Sequence, residues 1–144
     1  MGSFFAYPTG LAPAVDSFVF LGGRAEQDWE RIARHADRLR FRAGDVLVRE
    51  GDRDRAVYIV LRGRLEALVD PPAPIDEGSV FGEIAFFDGL PRSSTVRALE
   101  DGEALRLSYA EFEILAARHP ELGRAILLDL GRIVAGRLRR AGSK

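Results

Sequence analysis

The chain has 144 residues, 47% of them apolar and 30% charged, with a formal net charge of −1 at pH 7. This length and composition are typical of one soluble globular domain. The absence of cysteine excludes disulfides and thiolate metal sites, and near-neutral charge gives no bulk attraction to nucleic acid or membrane surfaces. No apolar run reaches transmembrane length, and we expect a cytoplasmic protein without membrane insertion.

The first predicted element is a helix. Residues 1–19 are apolar and irregular, contain Pro8 and Pro13, and lack the basic start of a signal peptide. Residues 26–36 then carry apolar side chains at helical spacing. These side chains are Trp29, Ile32, Ala33 and Ala36.

The middle of the chain has β character. Seven short runs rich in β-branched and aromatic residues are separated by turn residues, which favours an antiparallel sandwich or barrel. The runs are residues 38–41, 46–49, 57–61, 65–69, 80–81, 95–99 and 104–107. Between the fourth and fifth runs, Pro71, Pro72 and Pro74 predict a loop in place of a continuous strand.

Two helices are predicted at the end of the chain. Ser108 is a candidate N-cap, and Glu111 completes a capping-box pattern ahead of a helix over residues 110–118. Pro120 occupies a favourable first helical position. Residues 121–140 follow with apolar side chains on one side of a helix.

Residues 81–96, with the sequence FGEIAFFDGLPRSSTV, carry the most informative chemistry. Arg92 supplies a planar fork of donors that fits phosphate oxygens. An ionised Glu83 is an acceptor that suits a sugar hydroxyl. Gly82 allows a close backbone approach, and N–H groups at the start of a short helix after it would face an anion. Together they suit a small ligand with a sugar hydroxyl and a phosphate.

This segment resembles the phosphate-binding cassette of cyclic nucleotide-binding domains. The family occurs in catabolite-activator-type regulators, protein kinase A regulatory subunits and cyclic-nucleotide-gated channels. Its pattern, F-G-E-[LI]-A followed by P-R-[AST]-[AST]-T-V, is present in order. Turn patterns around Gly44, Gly51 and Gly63 match as well. The resemblance implies a mostly β fold with flanking α: an antiparallel eight-stranded, jelly-roll-like β-roll with an N-terminal helix and C-terminal helices. The expected division is an irregular segment 1–19, the domain 20–140 and a tail 141–144.

The resemblance also implies roles for single residues. Arg92 would clamp the exocyclic oxygens of a cyclic phosphate, and Glu83 would accept the ribose 2′-hydroxyl. The remaining expected ligand-binding residues are Gly82, Ile84, Ala85, Ser93 and Ser94. Two other interpretations stay open: Arg92 as an ordinary surface arginine and Glu83 as a cap of the short helix. Asp52 and Asp54 are interpreted as residues of a solvated hairpin.

In this family the last helix closes over the base and often forms a dimer seam. Arg132 or Arg137 is the candidate for a polar contact with the purine. The alternative is a solvated helix end whose basic residues favour the helix dipole. The expected ligand is cAMP, with cGMP left open because some family members that favour cGMP have a threonine close after the arginine, and the serine found there in this chain is ambiguous. We expect no metal.

We therefore expect a non-catalytic regulatory or sensor domain that relays ligand occupancy through its C-terminal helix. Two origins stay open: a regulatory part of a larger bacterial transporter or enzyme, and a transcription regulator without its DNA-binding domain. The partners expected are a cyclic nucleotide and either a second copy, through the C-terminal helix, or a covalently linked effector domain. Binding of nucleic acid by this chain is not expected.

Overall fold

The computed structural model describes residues 20–142, so the predicted segment 1–19 and the last two residues lie outside it. Within this range the chain forms eight strands and four helices. The strands are β1 (Asp37–Phe41), β2 (Val46–Val48), β3 (Ala56–Arg62), β4 (Leu65–Ala67), β5 (Ala73–Ile75), β6 (Val80–Phe81), β7 (Val96–Ala98) and β8 (Gly102–Ser108). The helices are α1 (Glu26–His35), α2 (Glu83–Asp88), α3 (Tyr109–Arg118) and α4 (Pro120–Gly142).

The strands form two four-stranded antiparallel sheets, ordered β1-β8-β3-β6 and β2-β7-β4-β5. Side chains from both sheets meet in one apolar cluster, which includes Phe41, Leu65 and Val96. A second cluster joins the other face of β3 and β8 to the helices. Because both of its faces are buried, β3 has a continuous apolar sequence. The predicted antiparallel roll with flanking helices is confirmed.

The predicted proline loop is present, but it ends earlier than expected because a short strand begins at Ala73. Strand β5 contains Pro74, which lies opposite Glu66 of β4. Proline is tolerated here because β5 is the edge of its sheet, where a missing N–H breaks no ladder. Strand β4 ends at Ala67, two residues before its predicted end, and Leu68 and Val69 are exposed beyond it.

The helices follow the predicted signals with one exception. The Ser108 hydroxyl accepts a hydrogen bond from Glu111 N at 3.1 Å and so caps α3. The Glu111 carboxylate does not complete the capping box; it contacts His35 Nδ1 at 3.1 Å and joins α3 to α1. Helix α4 begins at Pro120, and its apolar face is buried as far as Ile133. No helix within residues 20–142 has the length and apolar character needed to cross a membrane.

Candidate ligand-binding site

A cavity of about 530 Å³ lies beside α2, between the cassette segment and strands β2, β4 and β5. It is lined by all seven residues that the sequence predicted to bind ligand: Gly82, Glu83, Ile84, Ala85, Arg92, Ser93 and Ser94. Arg137 of α4 lines it too. Strand β5, which the sequence prediction missed, contributes an apolar wall of Ala73, Pro74 and Ile75.

Gly82 stands at the entry to α2 in a left-handed conformation, with φ +81°. A Cβ at this position would lie 2.5 Å from Arg92 Nη1 and 3.1 Å from the Ala56 carbonyl oxygen. Glycine is therefore required both by the backbone angle and by the space available. The sequence predicted a close approach of a ligand to Gly82, and the structure places the Arg92 side chain against it.

Arg92 is buried, with 5% of its surface exposed. Its Nη1 donates to the Gly82 carbonyl at 2.9 Å. Its Nη2 donates to Asp54 at 3.1 Å and to the Ala56 carbonyl at 2.6 Å. Among residues 20–142, the buried Nε–H of Arg92 has no partner. A buried cation needs paired charge and satisfied donors, so the Nε–H of Arg92 is a donor that still lacks an acceptor in this range.

Asp54 is the carboxylate that holds Arg92 in place. It also accepts hydrogen bonds from the Tyr58 hydroxyl at 2.5 Å and from Arg106, which in turn contacts Asp37. Burial alone would raise the pKa of Asp54, but the hydrogen bonds from Tyr58, Arg106 and Arg92 outweigh it and hold that pKa below its usual value. Burial and the bond to Asp54 raise the pKa of Tyr58 to about 12.

The interpretation of Asp54 as a solvated hairpin residue was wrong, because its side chain is only 21% exposed and faces two arginines. No sequence motif indicates that Asp54 pairs with Arg92. A buried arginine needs a carboxylate partner, and this requirement could have prompted a search for one. The distance along the sequence does not show which acidic residue is that partner.

Glu83 is 4% exposed and forms an ion pair with α4. Its Oε2 accepts a hydrogen bond from Arg137 Nη1 at 2.6 Å, and Arg137 Nη2 donates to the Val80 carbonyl at 2.9 Å. The contact of Glu83 is thus with another helix, which disfavours its interpretation as a cap of α2. The Arg137 side chain stays 42% exposed, so it can change its position at the rim of the cavity.

Arg132 does not line this cavity. It lies 3.7 Å from Asp129 and borders a separate depression that includes Gly22 and Arg24. Five residues along an α-helix correspond to about 140° around its axis, so Arg132 and Arg137 cannot face the same site.

The hydroxyl residues after Arg92 differ in their surroundings. Ser93 is exposed and Ser94 is half-buried, and both line the cavity. The Thr95 hydroxyl instead accepts a hydrogen bond from Glu50 N at 2.9 Å, which fixes it to the turn after β2. Ile84 is 48% exposed at the cavity. Residues 20–142 contain no group of three or more side chains suited to hold a metal ion.

Comparison with known proteins places this geometry in context. The family model described as "Cyclic nucleotide-binding domain" matches residues 38–119. The lysophospholipase NTE1 of Cryptococcus neoformans is 31% identical over 123 residues, which cover 81% of this chain and 7% of that protein. A cyclic nucleotide-gated potassium channel of Rhizobium etli is 35% identical over 117 residues, 81% of this chain and 32% of the channel.

A solved structure resembles the fold as well. The crystal structure of the catabolite activator protein of Thermus thermophilus has a TM-score of 0.73 and 26% identity, covering 86% of this chain and 60% of that chain. The chain thus corresponds to a small part of curated relatives such as these, between 6% and 32% of their length.

Because Asp54 neutralises a buried arginine, its removal should destabilise the fold. We expect Asp54→Asn to lower the free energy of unfolding at pH 7 by about 3 kcal/mol. The folded-state pKa of Asp54 lies below its unfolded value, so its stabilising effect is complete above about pH 4 and lost as the pH falls through the lowered pKa. The variant should therefore also lose less stability than the parent on acidification.

Urea unfolding between pH 3 and pH 7 measures both effects. The control is Asp52→Asn, two residues earlier, where the exposed side chain accepts a hydrogen bond from Arg49 N at 3.2 Å and contacts no arginine side chain within residues 20–142. Equal losses in the two variants at pH 7 would contradict the pairing of Asp54 with Arg92.

Proposed function

The chain belongs to the cyclic nucleotide-binding domain family, and from this premise we propose that it binds cAMP in the cavity beside α2 and relays occupancy through α4. Members of this family are regulatory modules rather than catalysts. The observation that carries the proposal is a buried arginine whose Nε–H has no partner in the described part of the chain, next to a buried carboxylate, in one cavity.

The cyclic phosphate would bind at Arg92. Its Nη1 donates one hydrogen bond and its Nη2 two to protein acceptors, so of the five N–H groups the Nε–H and the second Nη1–H are left for the exocyclic oxygens. Hydrogen bonds from charged groups contribute about 1.5–3 kcal/mol each. The Ser93 and Ser94 hydroxyls would complete the phosphate contacts from the same wall.

The ribose would bind at Glu83. Arg137 uses only Oε2 of that carboxylate, which leaves Oε1 to accept the 2′-hydroxyl. In this proposal Arg137 orients Glu83 rather than contacting the purine. The base would lie against the apolar wall of Val69, Ala73, Pro74 and Ile75. Guanine has more polar groups on its edge than this wall can satisfy, which favours adenine.

Helix α4 would respond to the ligand through Arg137. One side chain joins α4 to the proposed ribose acceptor and to the Val80 carbonyl of β6. A ligand moves a helix only if it binds the two helix positions with different affinity. Because the ribose and α4 would share one carboxylate, binding at Glu83 provides that difference.

The output would reach either a linked effector or a second copy. The relatives contain the matching region as a part of much longer proteins, which supports a covalently linked effector. Leu127 and Leu128 are exposed apolar side chains on α4, which supports pairing between copies as the second candidate.

The first prediction from this proposal concerns which nucleotide binds most tightly. We expect cAMP to bind more tightly than cGMP, and 5′-AMP to bind at least about tenfold more weakly, because it lacks the ring and carries more charge. A 2′-deoxy analogue of cAMP should also bind more weakly, since it leaves Glu83 under-bonded. Isothermal titration calorimetry measures the affinities of all four ligands. If neither cAMP nor cGMP binds, the proposal is contradicted.

Arg92 provides the second prediction. Replacement with alanine removes the cation that would hold the phosphate, and we expect cAMP affinity to fall at least tenfold, about 1.4 kcal/mol or more. Arg97→Ala on the exposed face of β7 is the control and should leave the affinity unchanged. Circular dichroism and urea unfolding identify any loss that comes from destabilisation. Unchanged affinity in a folded Arg92→Ala variant would contradict the assigned role.

The third prediction concerns α4. Saturation with cAMP should change amide hydrogen exchange in the last three turns of α4, because the ribose would bind the same carboxylate that holds Arg137. Hydrogen-exchange mass spectrometry of the ligand-free and saturated protein measures this change. Identical exchange of α4 in both states would contradict the relay while leaving binding intact.

A further inference from the structure

Arg55 joins the cassette helix to the start of α3, and no role was assigned to it by the sequence. It stands directly before β3 and is half-buried. Its Nε donates to the Phe86 carbonyl and its Nη2 to the Phe87 carbonyl, both at 2.9 Å. The last carbonyls of a helix have no partner within it, and α2, all of whose residues are described, has no basic side chain in its last turn. Arg55 supplies these hydrogen bonds from another part of the chain.

The same guanidinium contacts α3. Its central carbon lies 3.6 Å from the centroid of the Tyr109 ring, a cation–π geometry, and Tyr109 is the first residue of α3. The Arg55 carbonyl also accepts a hydrogen bond from Tyr109 N at 2.9 Å. Tyr109 in turn packs edge-on against Phe86 of α2, with ring centroids 5.5 Å apart. Both the side chain and the backbone of Arg55 therefore fix the end of α2 to the beginning of α3.

The residue before Arg55 holds the other side of the site, since Asp54 pairs with Arg92. The backbone of this loop also binds Arg92, whose N–H donates to the Asp52 carbonyl at 2.7 Å and whose carbonyl accepts from Gly51 N at 2.9 Å. The loop over residues 51–55 thus contacts the phosphate-facing arginine, the end of α2 and the start of α3. Arg55 itself does not line the cavity.

We infer that Arg55 is a positioning residue that transmits occupancy of the cassette to α3 and α4. The inference depends on the proposed cyclic nucleotide binding. A planar fork can donate to two successive carbonyls and lie over an aromatic ring at once, whereas a lysine ammonium cannot reproduce both contacts. A movement of α2 would therefore carry Tyr109 and the start of α3 with it.

The test measures the affinity for cAMP and the hydrogen exchange of separate regions of the chain. Isothermal titration calorimetry with cAMP and hydrogen-exchange mass spectrometry are applied to the parent chain, Arg55→Gln, Arg55→Lys and the control Arg53→Gln, whose side chain is exposed on the same loop. In both Arg55 variants we expect residues 82–96 to keep their cAMP-induced change in exchange, while the change over residues 109–142 falls about twofold or more. Because Arg55 also holds the end of α2 beside the site, its loss should raise the Kd for cAMP by about three- to tenfold. Arg53→Gln should match the parent.

The possible failures are distinguishable. If the parent chain binds no cyclic nucleotide, the proposed function is wrong and the role of Arg55 falls with it. If the parent binds and responds, and either Arg55 variant keeps the full response over residues 109–142, the inference alone is overturned. Should Arg55→Gln fail to fold, Tyr109→Leu removes the ring that Arg55 covers but keeps the backbone bond. In the Tyr109→Leu variant the cAMP-induced change in exchange over residues 109–142 must fall about twofold or more for the inference to hold.

Discussion

The site depends on one buried guanidinium. Arg92 is almost fully enclosed, and desolvating a cation is tolerable only when nearby acceptors replace water. Two backbone carbonyls and Asp54 provide that replacement: the Gly82 carbonyl comes from the entry to α2, and Asp54 and the Ala56 carbonyl come from the start of β3 and the loop before it. The left-handed turn at Gly82, the start of β3 and the cassette are therefore positioned by the same side chain. The cation that would attract a phosphate is also the group that organises the wall around it.

The local features of this arrangement could be predicted from the sequence. Strand and helix positions followed from periodicity, and Gly82, Glu83 and Arg92 were predicted from the chemistry that a sugar and a phosphate require. The short segment that contains them is continuous, so one motif fixes their order and spacing. Ser108 and Pro120 were equally readable, because capping and the first helical position depend on neighbouring residues only.

The features that could not be predicted are those that depend on distant parts of the chain. Asp54 pairs with Arg92 across 38 positions, and Arg137 pairs with Glu83 across 54. Many acidic and basic residues could form such pairs, and periodicity does not rank them. Strand β5 was missed for a related reason: proline excludes a central strand, and only the sheet topology makes β5 an edge. The choice between Arg132 and Arg137 likewise required the rotation of α4 about its axis.

Because of these long-range contacts, both ends of α2 are held by the C-terminal helices. Helix α4 contacts the first residue of α2 through the Arg137–Glu83 ion pair. The start of α3 contacts the last turn of α2 through Arg55 and Tyr109. Helices α3 and α4 are consecutive and pack against one another, with Gly123 so close to Ala116 that a Cβ at Gly123 would lie 2.6 Å from the Ala116 Cβ. A six-residue helix held at both ends by one closely packed pair cannot shift without moving that pair or breaking a contact. If the contacts hold, any movement of α2 must carry α3 and α4 with it as one unit; if one contact breaks, the movement of α2 is absorbed at that end.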